Sequence, residues 1–408
     1  MRQIFFNGTN TIVSDDATGG FATSVFPSGG PVEDWTTILN STRIVIVPAD
    51  GTLRNLRIDL DATSANDQTF KVYKNLVATA LEVTITAGNL TASDVTHSVS
   101  VTAGDTLKLV GTSIIGNNVA RWSMVWTGTN ANEAILSTYS GTQNTPFSTT
   151  QTFNNIISGY DGNGWTATEA DRYFYCPMAG TIKSFYVHIT ADISTGGPLR
   201  FSIFKNGVEE TTSRVDISGT GVLTGNATGL SISFVEGDTL TIGGIQVNST
   251  AEDCGTITWG VMYNPAVDGE SMIGGMTKTA LSTTQDQVQF AWLQGSKVVT
   301  TTENHFQSLV GNGCSLKKLR VNLQTAPGAS KTRIFTARKN GADITNTVTI
   351  SGTDTTGTDS THTDLFSAGD LVNLSTKTTT ASTVASLAFW SAILVTPSSD
   401  FTPRAMFF

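Results

Sequence analysis

The chain has 408 residues, too long for one ordinary domain at roughly 100 to 200 residues each. A hydrophobic share of 39% with only 14% charged residues excludes a disordered chain, and 39 glycines among abundant Ser and Thr suit short strands joined by turns. The net charge of -9, from 24 basic and 33 acidic residues, argues against a general nucleic-acid coat and against a binder of anionic membranes.

Met1 to Ser14 holds one basic residue and the apolar trio Ile4, Phe5 and Phe6, which is not the charged head and long apolar core of a secretory signal. No stretch is apolar for long enough to span a bilayer. Cys176, Cys254 and Cys314 cannot all pair and have no metal-ligand spacing, so they read as free thiols made in a reducing cytoplasm.

Further along, one pattern occurs three times. Thr52-Leu53-Arg54-Asn55-Leu56-Arg57-Ile58 has the apolar spacing of Thr181 to Val187 and of Ser315 to Val321. A Lys-Asn step follows in each copy, at Lys74-Asn75, Lys205-Asn206 and Lys339-Asn340, and then a Gly-Asp step, at Gly104-Asp105, Gly237-Asp238 and Gly369-Asp370. The Lys-Asn steps are 131 and 134 residues apart and the Gly-Asp steps 133 and 132. Each copy closes on a Trp-bearing apolar run, Trp122 to Trp126, Trp259 to Tyr263 and Trp390 to Val395. A repeat of this length predicts three modules, 1–130, 131–268 and 269–408.

Within a module the period is two: Phe185, Val187 and Ile189 alternate with Tyr186 and His188, and Leu230, Ile232 and Phe234 with Ser231 and Ser233. Such alternation marks strands with one buried face. Asn206-Gly207 and Asn340-Gly341 favour the tight hairpin turn with positive φ, whereas Asn75-Leu76 predicts a turn built differently. The expected fold is all-β, three tandem antiparallel β-sandwich domains of jelly-roll type with seven or eight strands each and no helix.

The apolar-basic strand, the Lys-Asn-Gly hairpin, the Gly-Asp-x-Leu turn and the final aromatic strand resemble the jelly-roll modules of the tumour-necrosis-factor/complement-C1q type, which also occur in bacteriophage and bacterial surface proteins. The resemblance implies a structural or adhesive surface role, often on a virion, and association in threes, here as a homotrimer or as a pseudo-trimer within one chain. The expected function is a non-enzymatic structural protein of a phage-like virion, a capsid decoration or other head-surface protein. It would assemble with other virion proteins in the host cytoplasm without a signal peptide. The alternative is a receptor-binding tail fibre or adhesin that grips host glycans, with Trp165 and Trp292 stacking on sugar rings.

No nucleophile sits in a G-x-S-x-G turn, and His97, His188, His305 and His362 read as scattered, at no common repeat position. Glu209-Glu210, Glu252-Asp253 and Asp59-Asp61 are the carboxylate pairs a glycosidase would need, and Asp59, Asp61 and Asp67 a conceivable calcium loop. Both read as solvated turns. Gly219 to Gly225 misses the dinucleotide spacing and reads as a loop. No catalytic residue, metal or cofactor is therefore expected.

Charge is uneven, with 8 basic against 11 acidic residues in the first module, 5 against 13 in the second and 11 against 9 in the third. Lys317, Lys318, Arg320, Lys331, Arg333, Arg338 and Lys339 read as a solvated face or as a docking face for an acidic partner, such as the acidic middle module of a neighbouring copy. No aromatic residues interleave them as single-strand nucleic-acid binding requires. The apolar ends, Ile4 to Phe6 and Ala405 to Phe408, suggest termini packed against a module or a partner.

Overall fold

The computed structural model describes residues 2–8, 21–23, 36–37, 44–112, 119–130, 132–142, 147–158, 164–193, 197–247, 252–297, 299–380 and 383–397. They form three β-sandwiches, and the helical content among them is three short 3-10 turns, Glu169–Arg172, Thr211–Ser213 and Glu303–Phe306.

The principal strands of the first sandwich are Arg2–Gly8, Phe21–Thr23, Gly51–Leu60, Gln68–Lys74, Val77–Ile85, Thr91–Val101, Thr106–Thr112 and Ala120–Gly128. Numbered in chain order, one sheet runs 1-8-3-6 and the other 2-7-4-5, which is the jelly-roll order. The same order recurs in the second sandwich, from Ala134–Thr142 to Thr256–Pro265, and in the third, from Glu270–Thr277 to Ala388–Val395. Alternation explains the third strands: in Gly180–Ile189 the residues Ile182, Phe185, Val187 and Ile189 are buried while Thr181, Lys183 and His188 are partly exposed. The phase changes between Ile182 and Phe185, where a bulge shifts the register.

First and eighth strands behave differently. Ala120–Gly128, Thr256–Pro265 and Glu270–Thr277 are buried almost throughout, on both faces. A strand covered on both sides carries a continuous apolar run, as in Trp122-Ser123-Met124-Val125-Trp126. One face packs into its own sandwich; the other packs against a neighbouring one.

The three Lys-Asn hairpins are built alike. Asn206 and Gly207 have φ of 52° and 77°, Asn340 and Gly341 52° and 79°, and Asn75 and Leu76 50° and 65°. The expectation of a different first turn is therefore corrected: Leu76 accepts the left-handed conformation because the flanking strands impose the turn twist. That conformation costs a residue with a Cβ roughly 1–2 kcal/mol. Leu76 is 59% exposed and loses little packing when removed. Leu76→Gly is expected to stabilise the protein by about 0.5–1 kcal/mol after the greater chain entropy of glycine is allowed for. Chemical denaturation of the two proteins checks this, and an unchanged or lowered midpoint refutes it.

Candidate functional site

The Lys-Asn and Gly-Asp steps, about thirty residues apart in each repeat, meet in space. The amide of Asn75 donates to Asp105 at 2.6 Å, Asn206 to Asp238 at 2.9 Å and Asn340 to Asp370 at 2.7 Å. Each Asn side-chain oxygen accepts the backbone N–H that follows the Asp, from Thr106, Thr239 and Leu371, at 2.8 Å. The lysine before each Asn donates to a carbonyl across the sandwich, Ser100, Ser233 or Leu365, at 3.1, 2.9 and 3.1 Å. The second Asp oxygen accepts the N–H three residues earlier, from Thr102, Val235 or Ser367. The triplet signature is thus a clamp that fixes the Gly-Asp turn.

That turn holds a short strand. Val45–Ile46, Phe174–Tyr175 and Ser308–Leu309 each pair with the seventh strand of their own sandwich. The residue after each short strand, Val47, Cys176 or Val310, donates to the Asp carbonyl and accepts from the Gly N–H of the turn, at 2.7–2.9 Å. Each short strand then rests on the next sandwich. Ile46 N–H donates to Thr258 Oγ1 at 3.2 Å, Ser137 donates to the Ile46 carbonyl at 2.6 Å and Ser184 to the Pro48 carbonyl at 2.8 Å. Tyr175 lies against Phe389, ring centroids 6.3 Å apart, with the Arg320 guanidinium 6.0 Å from its ring. From the third sandwich back to the first, Asn304 accepts from Arg121 at 3.0 Å, Asn312 accepts from Asn55 at 3.4 Å, and Gly311 abuts Ser123 so closely that a Cβ would collide.

The contacts therefore run first to second, second to third and third to first. The turns repeat the cycle: a Cβ on Gly104 would lie 3.9 Å from Tyr186, one on Gly237 3.7 Å from Arg320 and one on Gly369 3.3 Å from Arg57. Arg57, Tyr186 and Arg320 hold the same position in the third strands. Core packing repeats it again. The cross-strand pair Ile4 and Val125 of the first sandwich joins the third core. Ile135 joins the first core and its pair Met262 packs on it, while Met272 and Ile393 join the second. Side chains exchanged in this way make each core incomplete without its neighbour.

Six of the seven basic residues singled out in the third sandwich turn to different partners and do not form one face. Lys317 pairs with Glu270 at 2.5 Å and Lys318 with Glu236 at 2.6 Å. Arg320 donates to Asn322, Arg338 pairs with Glu303 at 2.7 Å, and Lys339 is part of the clamp. Arg333 is 1% exposed, donates to the Ser282 carbonyl at 3.0 Å, and has its pKa lowered to about 10 by burial. The acidic sequence that Lys318 meets is the middle sandwich of its own chain, at the seam.

Trp292 is 1% exposed and packs on Phe306, 5.4 Å between centroids, so it offers no face to a sugar. Trp165 is half-buried against Phe147, Phe201 and Trp259. Asp59 pairs with Arg121 at 2.9 Å, Asp61 accepts from Val119 N–H and Asp67 from Ala87 N–H, so the three aspartates turn to separate partners. Glu209 pairs with Arg214 and Glu210 with Lys205. Ile4 and Phe5 are buried, while Ala405 to Phe408 lie outside the described residues.

One expectation about histidine is overturned. His97 and His362 occupy the same repeat position, within Asp94-Val95-Thr96-His97 and Asp359-Ser360-Thr361-His362. Each ring lies within hydrogen-bond distance of its aspartate, at 2.9 and 2.8 Å. Burial pushes the Asp94 carboxyl up, but N–H donors of His97, Glu82 and Thr96 and the His97 ring outweigh it and hold the pKa at about 2. Asp359 reaches about 2 for matching reasons, with donors from Thr347, Thr361 and His362. The second sandwich has Ala227 there, and Gly229 at φ 67° forms the local bend. The spacing of 265 residues, two repeat lengths, was the available signal.

Cys176, Cys254 and Cys314 are buried. Burial pushes all three thiols up, Cys254 and Cys314 to about 12. Thiolate is the reacting form. An Ellman titration should thus find no fast thiol in the native protein and three after denaturation; a native thiol reacting within seconds would contradict the burial.

No family model matches the chain, and no curated protein matches it. Among solved structures, T=1 particles derived from infectious bursal virus match over 98% of this chain and 78% of that chain, at 7% identity and a TM-score of 0.19. The VP2 subviral particle of infectious bursal disease virus matches over 98% and 81%, at 8% identity and a TM-score of 0.18. Scores this low carry no weight for fold or function.

Proposed function

We propose that this chain is a non-enzymatic structural protein of a phage-like virion, a capsid decoration or other head-surface protein, in which the modules 1–130, 131–268 and 269–408 act as one intramolecular pseudo-trimer. The observation that carries the reading is the closed cycle of equivalent seams. A threefold ring of jelly rolls fits a local threefold position on a shell while offering three non-identical outer faces. Resources of sequence go into seams and clamps, and of the tryptophans considered for glycan binding Trp292 is packed in a core and Trp165 is half-buried against one, which disfavours the adhesin reading. Partners are other virion proteins, with no cofactor.

Light scattering on the purified chain should give a monomer near 43.1 kDa at both low and high salt, because the seams rest mainly on apolar exchange. Mass spectrometry of purified particles from the source should find the chain in fixed ratio to the shell protein. A stable homotrimer would overturn the pseudo-trimer, and absence from particles would overturn the virion role.

A further inference from the structure

The seams differ in one respect. The first and second sandwiches are joined by the short link from Gly128 to Ala134, and the second and third by the link from Pro265 to Glu270. The third and first meet without such a link. Arg2 and Arg54 of the first sandwich line one small cavity, of about 10 Å³, together with Asn312, Thr396 and Pro397 of the third. Residues 2 and 397 thus lie at the place where a link runs in the other two seams.

We infer that the third sandwich is an exchangeable element, and that the surface it leaves on the first two fits the third sandwich of a second copy of this chain. Every contact the third sandwich makes is available from another copy: Arg320 and Lys318 toward Tyr175 and Glu236, Gly311 and Asn312 toward Ser123 and Asn55, and Ile4 and Val125 in its core. Exchange therefore keeps both seams and alters only residues 266–269, where Val267 is 55% exposed and Gly269 has φ 82°. Short links of this kind are the usual hinges of exchange, and mass action sets the balance between closed monomer and exchanged dimer. The inference rests on the closed ring proposed above and is independent of any virion role.

Asn55→Cys with Asn312→Cys places one thiol on each side of the unlinked seam, for joining by a short bis-maleimide. Native monomer should cross-link within one chain and run near 43 kDa on a denaturing gel. Protein unfolded and refolded at rising concentration should yield a growing dimer fraction whose cross-linked product runs at twice that mass. Failure of the native monomer to cross-link would overturn ring closure itself. Cross-linking of the monomer with no dimer at any concentration, or a dimer linked only within chains, would overturn the exchange and leave the ring intact.

Discussion

Replacing Trp259 by alanine should cost about 3–5 kcal/mol of stability, the range for truncating a large aromatic residue in a packed core. Trp259 is fully buried in the eighth strand of the second sandwich. Its indole N–H donates to the Ile156 carbonyl at 3.0 Å, and Trp165 packs edge-on at 5.9 Å. Alanine leaves both a cavity and an unpaired buried carbonyl. Trp390, at the matching position, donates to the Leu293 carbonyl at 3.0 Å, so Trp390→Ala should behave alike. Trp259→Phe keeps most of the packing and should cost about 1–2 kcal/mol, mainly for the lost hydrogen bond. Guanidinium unfolding followed by circular dichroism measures these differences. A cost below about 1 kcal/mol for Trp259→Ala would mean that the eighth strand does not anchor its core.

Acid should remove about 4 kcal/mol from the same protein through two carboxylates. Asp94 and Asp359 titrate at about 2 in the folded chain against 3.8 for the ordinary carboxyl. A depressed folded pKa gives stability that is fully present above the unfolded value and is lost as pH falls through the folded one. The window is therefore from about pH 4 down to about pH 2. At about 1.36 kcal/mol per unit, each group contributes at most about 2.4 kcal/mol, and about 4 kcal/mol remains for the pair once solvent screening is allowed for. Both side chains are tucked against their own corners, at 6% and 4% exposure, but the corners lie near the surface, so solvent screening lowers these figures. Asp94→Ala with Asp359→Ala should lower stability by about that total at pH 7 and flatten the loss between pH 4 and 2. If the double variant has the same acid limb as the parent, other groups govern the acid response.

Much of the architecture is legible in the sequence because strand alternation and turn chemistry are local. Phe185, Val187 and Ile189 show their buried face within five residues, and the Gly-Asp steps mark the end of each sixth strand. What the Lys-Asn and Gly-Asp steps do is not legible, since a hydrogen bond between residues thirty apart leaves no period. The seams lie between these cases. Continuous runs such as Trp122 to Trp126 signal burial on both faces, but not which neighbour covers the second face. Charge counting misleads for a different reason: Lys317, Lys318, Arg333 and Arg338 are close in sequence, yet each side chain leaves its strand toward a separate partner. Trp292 misleads similarly, because an isolated tryptophan in a Gln-rich stretch looks exposed until the third sandwich closes on the first.

In a symmetric homotrimer a single codon writes all three copies of a contact, and any change strikes three times. Here each contact has its own codon. The position facing the Gly-Asp turn is Arg57 at one seam, Tyr186 at the next and Arg320 at the last. The Asp-x-Thr-His corner is kept in two sandwiches and replaced by Ala227 in the other. Mutation can therefore retune one seam while two intact copies of the geometry keep the other contacts in place.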